Sequence, residues 1–107
     1  MSSEALTLLH ELVTATRSAL VCARALDGAG LDQANRERGD LLFSLRIALT
    51  EGVHPAELDA MRAAAHELDD LEDRLERVAI QVVGVIEGLR QGANAATYSA
   101  SGRVAAG

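Results

Sequence analysis

The sequence predicts an all-α fold, an antiparallel three-helix bundle or coiled coil with a long C-terminal helix and a flexible tail. Hydrophobic residues make up 49% of the 107 positions, yet Phe43 and Tyr98 are the only aromatics and Pro55 is the only proline. Such an aliphatic, proline-poor composition favours packed helices over a sheet. Apolar residues also recur at steps of three and four through three segments. Because the breaks between these segments are short, consecutive helices should run antiparallel.

The first two helices are delimited by capping residues and glycine. Ser3 can cap the first helix, which should end before 27–30, where Asp-Gly-Ala-Gly offers C-cap geometry. Asp32 is the predicted N-cap of the second helix, which should end before 51–54. The predicted core faces of the two helices are Leu6, Leu9, Val13, Thr16, Leu20 and Ala23, followed by Ala34, Leu41, Leu42, Leu45, Ala48 and Leu49.

The longest periodic segment is 55–91, with Pro55 suited to the first helical position. We expect the other two helices to cover part of it, and its C-terminal part to extend beyond them. A heptad repeat runs through it for about four heptads, which is typical of a helix packed lengthwise on other helices. The predicted core-facing positions are Met61, Ala64, Leu68, Leu71, Leu75, Val78, Val82, Val85 and Leu89.

The segment 78–86 is apolar on nearly every side of the predicted helix. Its β-branched residues would also suit a strand, but the continuous heptad favours a helix. A helix that is apolar all round must be buried, and two shorter helices are poorly placed to surround it. We therefore expect a surface for another protein or for a second copy of the chain, formed by Val78, Ile80, Val82, Val83, Val85, Ile86 and Leu89.

Glycines at 84, 88 and 92 lie on one stripe of the same helix. They either allow another backbone to approach closely or are tolerated near a helix end. Beyond them, the sequence divides the chain into a helical bundle domain, 1–92, and a flexible C-terminal tail, 93–107. The tail is built from small polar residues and glycine, which bury too little surface to fold alone. Tyr98 either anchors this tail to a second protein or folds back onto the bundle.

The charge pattern argues against nucleic acid and membranes as partners. The formal net charge is −6, and the ten basic residues are scattered arginines. No apolar run approaches the roughly 20 residues that span a bilayer. Cys22 is a lone cysteine, and residues 1–4 lack the charged start of a signal peptide. We expect a cytoplasmic protein.

The residue types that support catalysis are not grouped in the sequence. The histidines are His10, His54 and His66, and none has the helical spacing of a metal site. The sequence contains no glycine-rich phosphate loop and no nucleophile elbow. We therefore expect a protein that is not an enzyme and has no metal or cofactor.

Three segments resemble the FlgN-type flagellar export chaperones. They are an Ala-Leu-Asp-Gly turn at 25–28, a helix with an Asn-Arg-Glu-Arg start and a leucine-rich end at 35–45, and a Thr-Tyr-x-x-x-Gly-Arg tail at 97–103. The resemblance implies a cytosolic helical bundle that holds hook-associated, hook–filament junction proteins and delivers them to the flagellar export gate. It implies client binding by the C-terminal part of the long helix and gate docking by Tyr98.

A second interpretation is a structural one. A homodimeric coiled-coil adaptor would use the apolar surface at 78–89 as a permanent self-interface and would deliver no client. The two interpretations differ in one respect, because a chaperone should exchange any self-contact for its client.

Overall fold

The computed structural model describes residues 3–106, and the side chains of 3–92. Helix α1 spans Glu4–Arg24, α2 spans Gly28–Thr50 and α3 spans Leu58–Ala106, with a 3-10 turn at Pro55–Glu57 before α3. No strand occurs in this described part, and α1 packs against both α2 and α3. The predicted all-α bundle is confirmed. The sequence predicted a flexible tail at 93–107, whereas the backbone of 93–106 continues α3. The side chains of this segment, with Tyr98, lie outside the described ones, so the role predicted for Tyr98 stays a prediction.

The two ends of α1 establish the helix directions. Ser3, at the start of α1, hydrogen-bonds Glu57 at the start of α3, and Leu20, near the end of α1, packs with Leu71 of α3. Helices α1 and α3 therefore run parallel, and α2, which connects them in the chain, runs in the opposite direction. Because α1 ends near the middle of α3, the long helix continues beyond the other two.

Helix α1, rather than α3, is the centre of the bundle. Ten of its residues are buried, against three in α2 and, among the described side chains, two in α3. Helix α1 has neighbours on two sides, whereas the contacts of α3 are chiefly with α1. All six predicted core positions of α1 are buried.

The core consists of two clusters along α1. In the N-terminal half of α1, Leu9 and Leu12 pack with Leu45 of α2 and Ala64 of α3. Farther along, α1 and α3 meet without α2 in a smaller cluster, against which Leu75 and Val78 pack in part; its buried members are Val13, Leu20 and Leu71. Each fully buried Leu or Val contributes about 1.5–3 kcal/mol. Because the second cluster has fewer buried residues than the first, the core becomes smaller toward the C-terminal half of α3.

The start of α2 differs from the prediction, because Asp27 rather than Asp32 is its N-cap. The Asp27 carboxylate accepts a 3.0 Å hydrogen bond from the backbone N–H of Gly30. Leu26 reverses the chain with a φ of 56°. A Cβ at position 30 would lie 2.8 Å from Sγ of Cys22 and closer still to the Asp27 carboxylate, so a larger residue there would have to displace the side chain that caps α2. The glycines predicted to end α1 thus form the first turn of α2.

The start of α3 is fastened to the start of α1. His54 caps the 3-10 turn, with its side chain accepting a hydrogen bond from the Ala56 N–H at 3.1 Å. The Ser3 N–H donates a 2.7 Å hydrogen bond to Oε1 of Glu57. Hydrogen bonds from Ser3 hold the pKa of the Glu57 carboxyl below its ordinary value. This contact holds the two parallel helices in register at their N-terminal ends.

Candidate partner-binding surface

Burial of α3 decreases steadily along the heptad positions that face the bundle. Leu71 is 6% exposed, Val78 and Val82 are half-buried, and Val85 and Leu89 are 61% and 70% exposed. The cause is geometric, since α1 ends at Arg24 and α2 begins at Gly28, beside the middle of α3. We call residues 78–92 of α3 the overhang.

The overhang exposes a large apolar surface. Ile80, Val83 and Ile86 are exposed in addition to Val85 and Leu89, and only Glu87 and Arg90 are charged between positions 78 and 92. A single exposed aliphatic side chain is ordinary, but a contiguous group of this kind marks a site of interaction. The sequence prediction that α1 and α2 leave this segment uncovered agrees with these exposures.

A groove of about 970 Å³ lies between the overhang and the corner where α1 joins α2. The corner forms one wall with Cys22, Leu26 and Leu31, and α3 forms the other. Asn35 and Arg38 of α2 add polar groups to the lining. Apolar walls with a few placed polar groups are typical of sites that receive a partner.

The structure gathers most of the predicted surface residues into this one groove, but not all of them. Ile80 does not line it, although its side chain is exposed. The contribution of the α1–α2 corner was missed by the sequence prediction. Leu26 and Leu31 flank a turn and belong to no heptad. The one sequence feature that could have indicated this wall is a leucine directly before Asp-Gly, where a turn residue is usually polar. The predicted residues that line the groove are Val78, Val82, Val83, Val85, Ile86 and Leu89.

Arg38 connects the groove to the interior of the bundle. Its Nε donates to Oγ1 of Thr16 at 3.1 Å, and its other nitrogens donate to Oδ1 of Asn35 at 2.8 Å and Oε1 of Glu72 at 3.4 Å. The guanidinium thus contacts all three helices. An arginine fixed in this way keeps one fork of donors in a constant position beside the groove.

The glycine stripe of the overhang is not required by packing inside the chain. Among the residues whose side chains are described, nothing would lie within 4 Å of a Cβ added at Gly84, Gly88 or Gly92, apart from the backbone of α3 itself. The stripe therefore borders open space, where a partner helix could approach.

The described residues contain no group of three or more His, Cys, Asp or Glu arranged to hold a metal ion. No helix among them combines the length and the hydropathy that crossing a bilayer requires.

Comparisons with protein families, with curated proteins and with solved structures found no match to this chain.

Proposed function

We propose that this chain is a cytosolic flagellar export chaperone of the FlgN type, which binds hook–filament junction proteins and delivers them to the export gate. The observation that carries the proposal is the overhang, with five exposed aliphatic side chains beside a groove of about 970 Å³. A protein that leaves this surface open in its own fold needs a partner to cover it.

The shape of the groove favours a helical client. At the level of the overhang α1 and α2 have ended, and the groove beside α3 is open, so a client helix could pack along α3 there. An amphipathic helix of the client could place its apolar face against Val82 and Ile86 and its polar face toward solvent. Arg38, which also lines the groove, offers donors to a client carboxylate or carbonyl.

The assignment to flagellar export depends on the sequence of the tail. The Thr-Tyr-x-x-x-Gly-Arg segment at 97–103 is the most specific part of the resemblance. In this proposal Tyr98 docks the loaded chaperone on the cytoplasmic domain of the gate, and the overhang holds the client. Separate segments for client and gate would allow both to be bound at the same time.

The test is a binding titration with purified hook-associated proteins and, separately, with the cytoplasmic domain of the export gate. The proposal predicts saturable binding of at least one hook-associated protein. Tyr98→Ala should weaken binding to the gate, with an unchanged client affinity and melting temperature. Failure of every hook-associated protein to bind would overturn the proposal. A dimer that no client dissociates would then favour the adaptor.

A further inference from the structure

We propose that, when no client is bound, a second copy of this chain covers the overhang as an antiparallel helix centred near Val83, with Glu76 of each copy paired with Arg90 of the other. The inference rests on the proposed function only in assigning the overhang to protein binding. It identifies the occupant of that surface before a client arrives.

The apolar contact comes from one stripe of the overhang. Ala79, Val82, Ile86 and Leu89 follow steps of three, four and three, and all four line the groove. In an antiparallel pair, Ala79 of one copy lies opposite Leu89 of the other, and Val82 lies opposite Ile86. The stripe is thus complementary to itself, with a small residue facing a large one at each end.

The charges flanking this stripe select the same register. Glu76 and Arg90 lie seven residues before and after Val83, so all three occupy the same flank of α3. In an antiparallel pair, equivalent flanks of the two helices face each other. Glu76 of each copy therefore lies beside Arg90 of the other, and the dimer contains this ion pair twice. In a parallel pair this flank would instead face the opposite flank of the other copy, which carries Leu71, Val78 and Val85, so neither charge would meet an opposite one.

The same two residues cannot pair within one chain. They are separated by 14 residues of continuous helix, or about 21 Å at 1.5 Å per residue. Any interaction between them therefore requires a second molecule. Ion pairs at an exposed rim contribute little affinity each, so their main effect is to select the antiparallel register.

The structure has space for the second helix. The groove lies directly against the apolar stripe of Ala79, Val82, Ile86 and Leu89, and Leu26 and Leu31 form the opposite wall of the groove. The copy can therefore occupy the groove that a client would take, and client binding would have to displace it.

The experiment is analytical ultracentrifugation of the full chain over a range of concentrations. We expect a reversible dimer for the native sequence. Glu76→Arg and Arg90→Glu should each raise the dimer dissociation constant about tenfold, because each replaces two weak ion pairs by two like-charge contacts. Both side chains are exposed, and circular dichroism should confirm that each variant is folded.

The decisive sample is an equimolar mixture of the two variants. In a mixed dimer, the arginine introduced at position 76 of one chain would meet the glutamate introduced at position 90 of the other. The second contact would join the native Arg90 to the native Glu76. The mixture should dimerise within about twofold of the native constant, since both opposite-charge pairs are restored. A mixture no tighter than either variant alone, or a native chain that is monomeric at every concentration, would overturn the inference.

The failure of this inference and that of the proposed function can be told apart with the native chain. A monomer that binds a hook-associated protein would overturn the antiparallel dimer and retain the chaperone. If the native chain dimerises and the mixture of Glu76→Arg and Arg90→Glu restores dimerisation, but no hook-associated protein binds, the antiparallel dimer is retained and the chaperone function is overturned.

Discussion

Arg38 donates a hydrogen bond of 3.1 Å from Nε to the hydroxyl oxygen of Thr16, a side chain that is completely buried in α1. The Thr16 hydroxyl in turn donates to the backbone carbonyl of Leu12 at 2.8 Å. The sequence placed Thr16 among the core positions of α1, and the structure gives its hydroxyl both a donor and an acceptor. This pair joins α1 to α2 beside the groove, while Glu72 extends the contact to α3.

Thr16→Val removes the hydroxyl at nearly constant volume and should lower the free energy of unfolding by about 1–2 kcal/mol, because Arg38 loses its buried acceptor. In an Arg38→Leu background the same change should cost less, with a coupling of at least about 0.5 kcal/mol. Urea unfolding of the two single variants and the double variant measures that coupling. Arg36→Leu, at an exposed position of α2, is the matched control. Strict additivity of Thr16→Val and Arg38→Leu would show that the hydrogen bond does not stabilise the fold.

Asp27→Ala should lower the free energy of unfolding by about 1 kcal/mol, because it removes the side chain that caps α2 through the Gly30 N–H. Asp32→Ala is the control, since Asp32 is exposed inside the helix and is not the cap. Chemical denaturation of the two variants compares them directly. An equal or larger loss for Asp32→Ala would place the start of α2 where the sequence predicted it.

Leu20→Ala should cost about 2–5 kcal/mol, because Leu20 is buried against Leu71 where α1 and α3 meet. The adjacent Val21 is largely exposed, so Val21→Ala should change stability by no more than about 0.5 kcal/mol. Thermal and urea unfolding can check both values. If the two substitutions cost the same, the predicted core face of α1 would be incorrect.

Glu57 should make the fold sensitive to acid. Hydrogen bonds from Ser3 lower its pKa in the folded chain, so its contribution to stability is present above the ordinary carboxyl pKa and is lost as the pH falls through the lowered one. Glu57→Gln should therefore lose less stability than the native chain between neutral pH and about pH 3. Urea midpoints measured across that range test this, with Glu37→Gln as an exposed control. Parallel pH profiles for the native chain and Glu57→Gln would contradict the expectation.

The helical periodicity of the sequence predicted the bundle and most of its core, but not its centre. Spacing shows which face of a helix is apolar, whereas the number of neighbours it has depends on how the helices are arranged. The sequence therefore did not show that α1, and not the longest helix, is the central one. Near Asp27, glycine and aspartate are equally typical of the end of one helix and of the start of the next. The predicted N-cap of α2, Asp32, therefore lies five positions after the observed one, Asp27. The surface at 78–89 was predictable because its apolar residues exceed what two short helices can cover. The groove wall at Leu26 and Leu31 depends on how α1 turns into α2, which no periodicity reports.

The central claim is that the overhang binds client protein, and Val83→Asp tests it most directly. Val83 is 53% exposed, and Ile47, on the outer surface of α2, is 52% exposed. A new carboxylate at either position should leave the melting temperature nearly unchanged, because both positions are accessible to water. Val82→Asp, at the half-buried neighbour, should instead lower both stability and binding.

The measurement is the affinity of the native chain, Val83→Asp and Ile47→Asp for a hook-associated protein that the native chain binds, together with their melting temperatures. We predict that Val83→Asp weakens binding by tenfold or more, the range of about 1–3 kcal/mol typical of a central interface residue, and that Ile47→Asp matches the native chain. Equal client affinities for all three proteins, with unchanged melting temperatures, would contradict the assignment of the overhang as the client-binding surface.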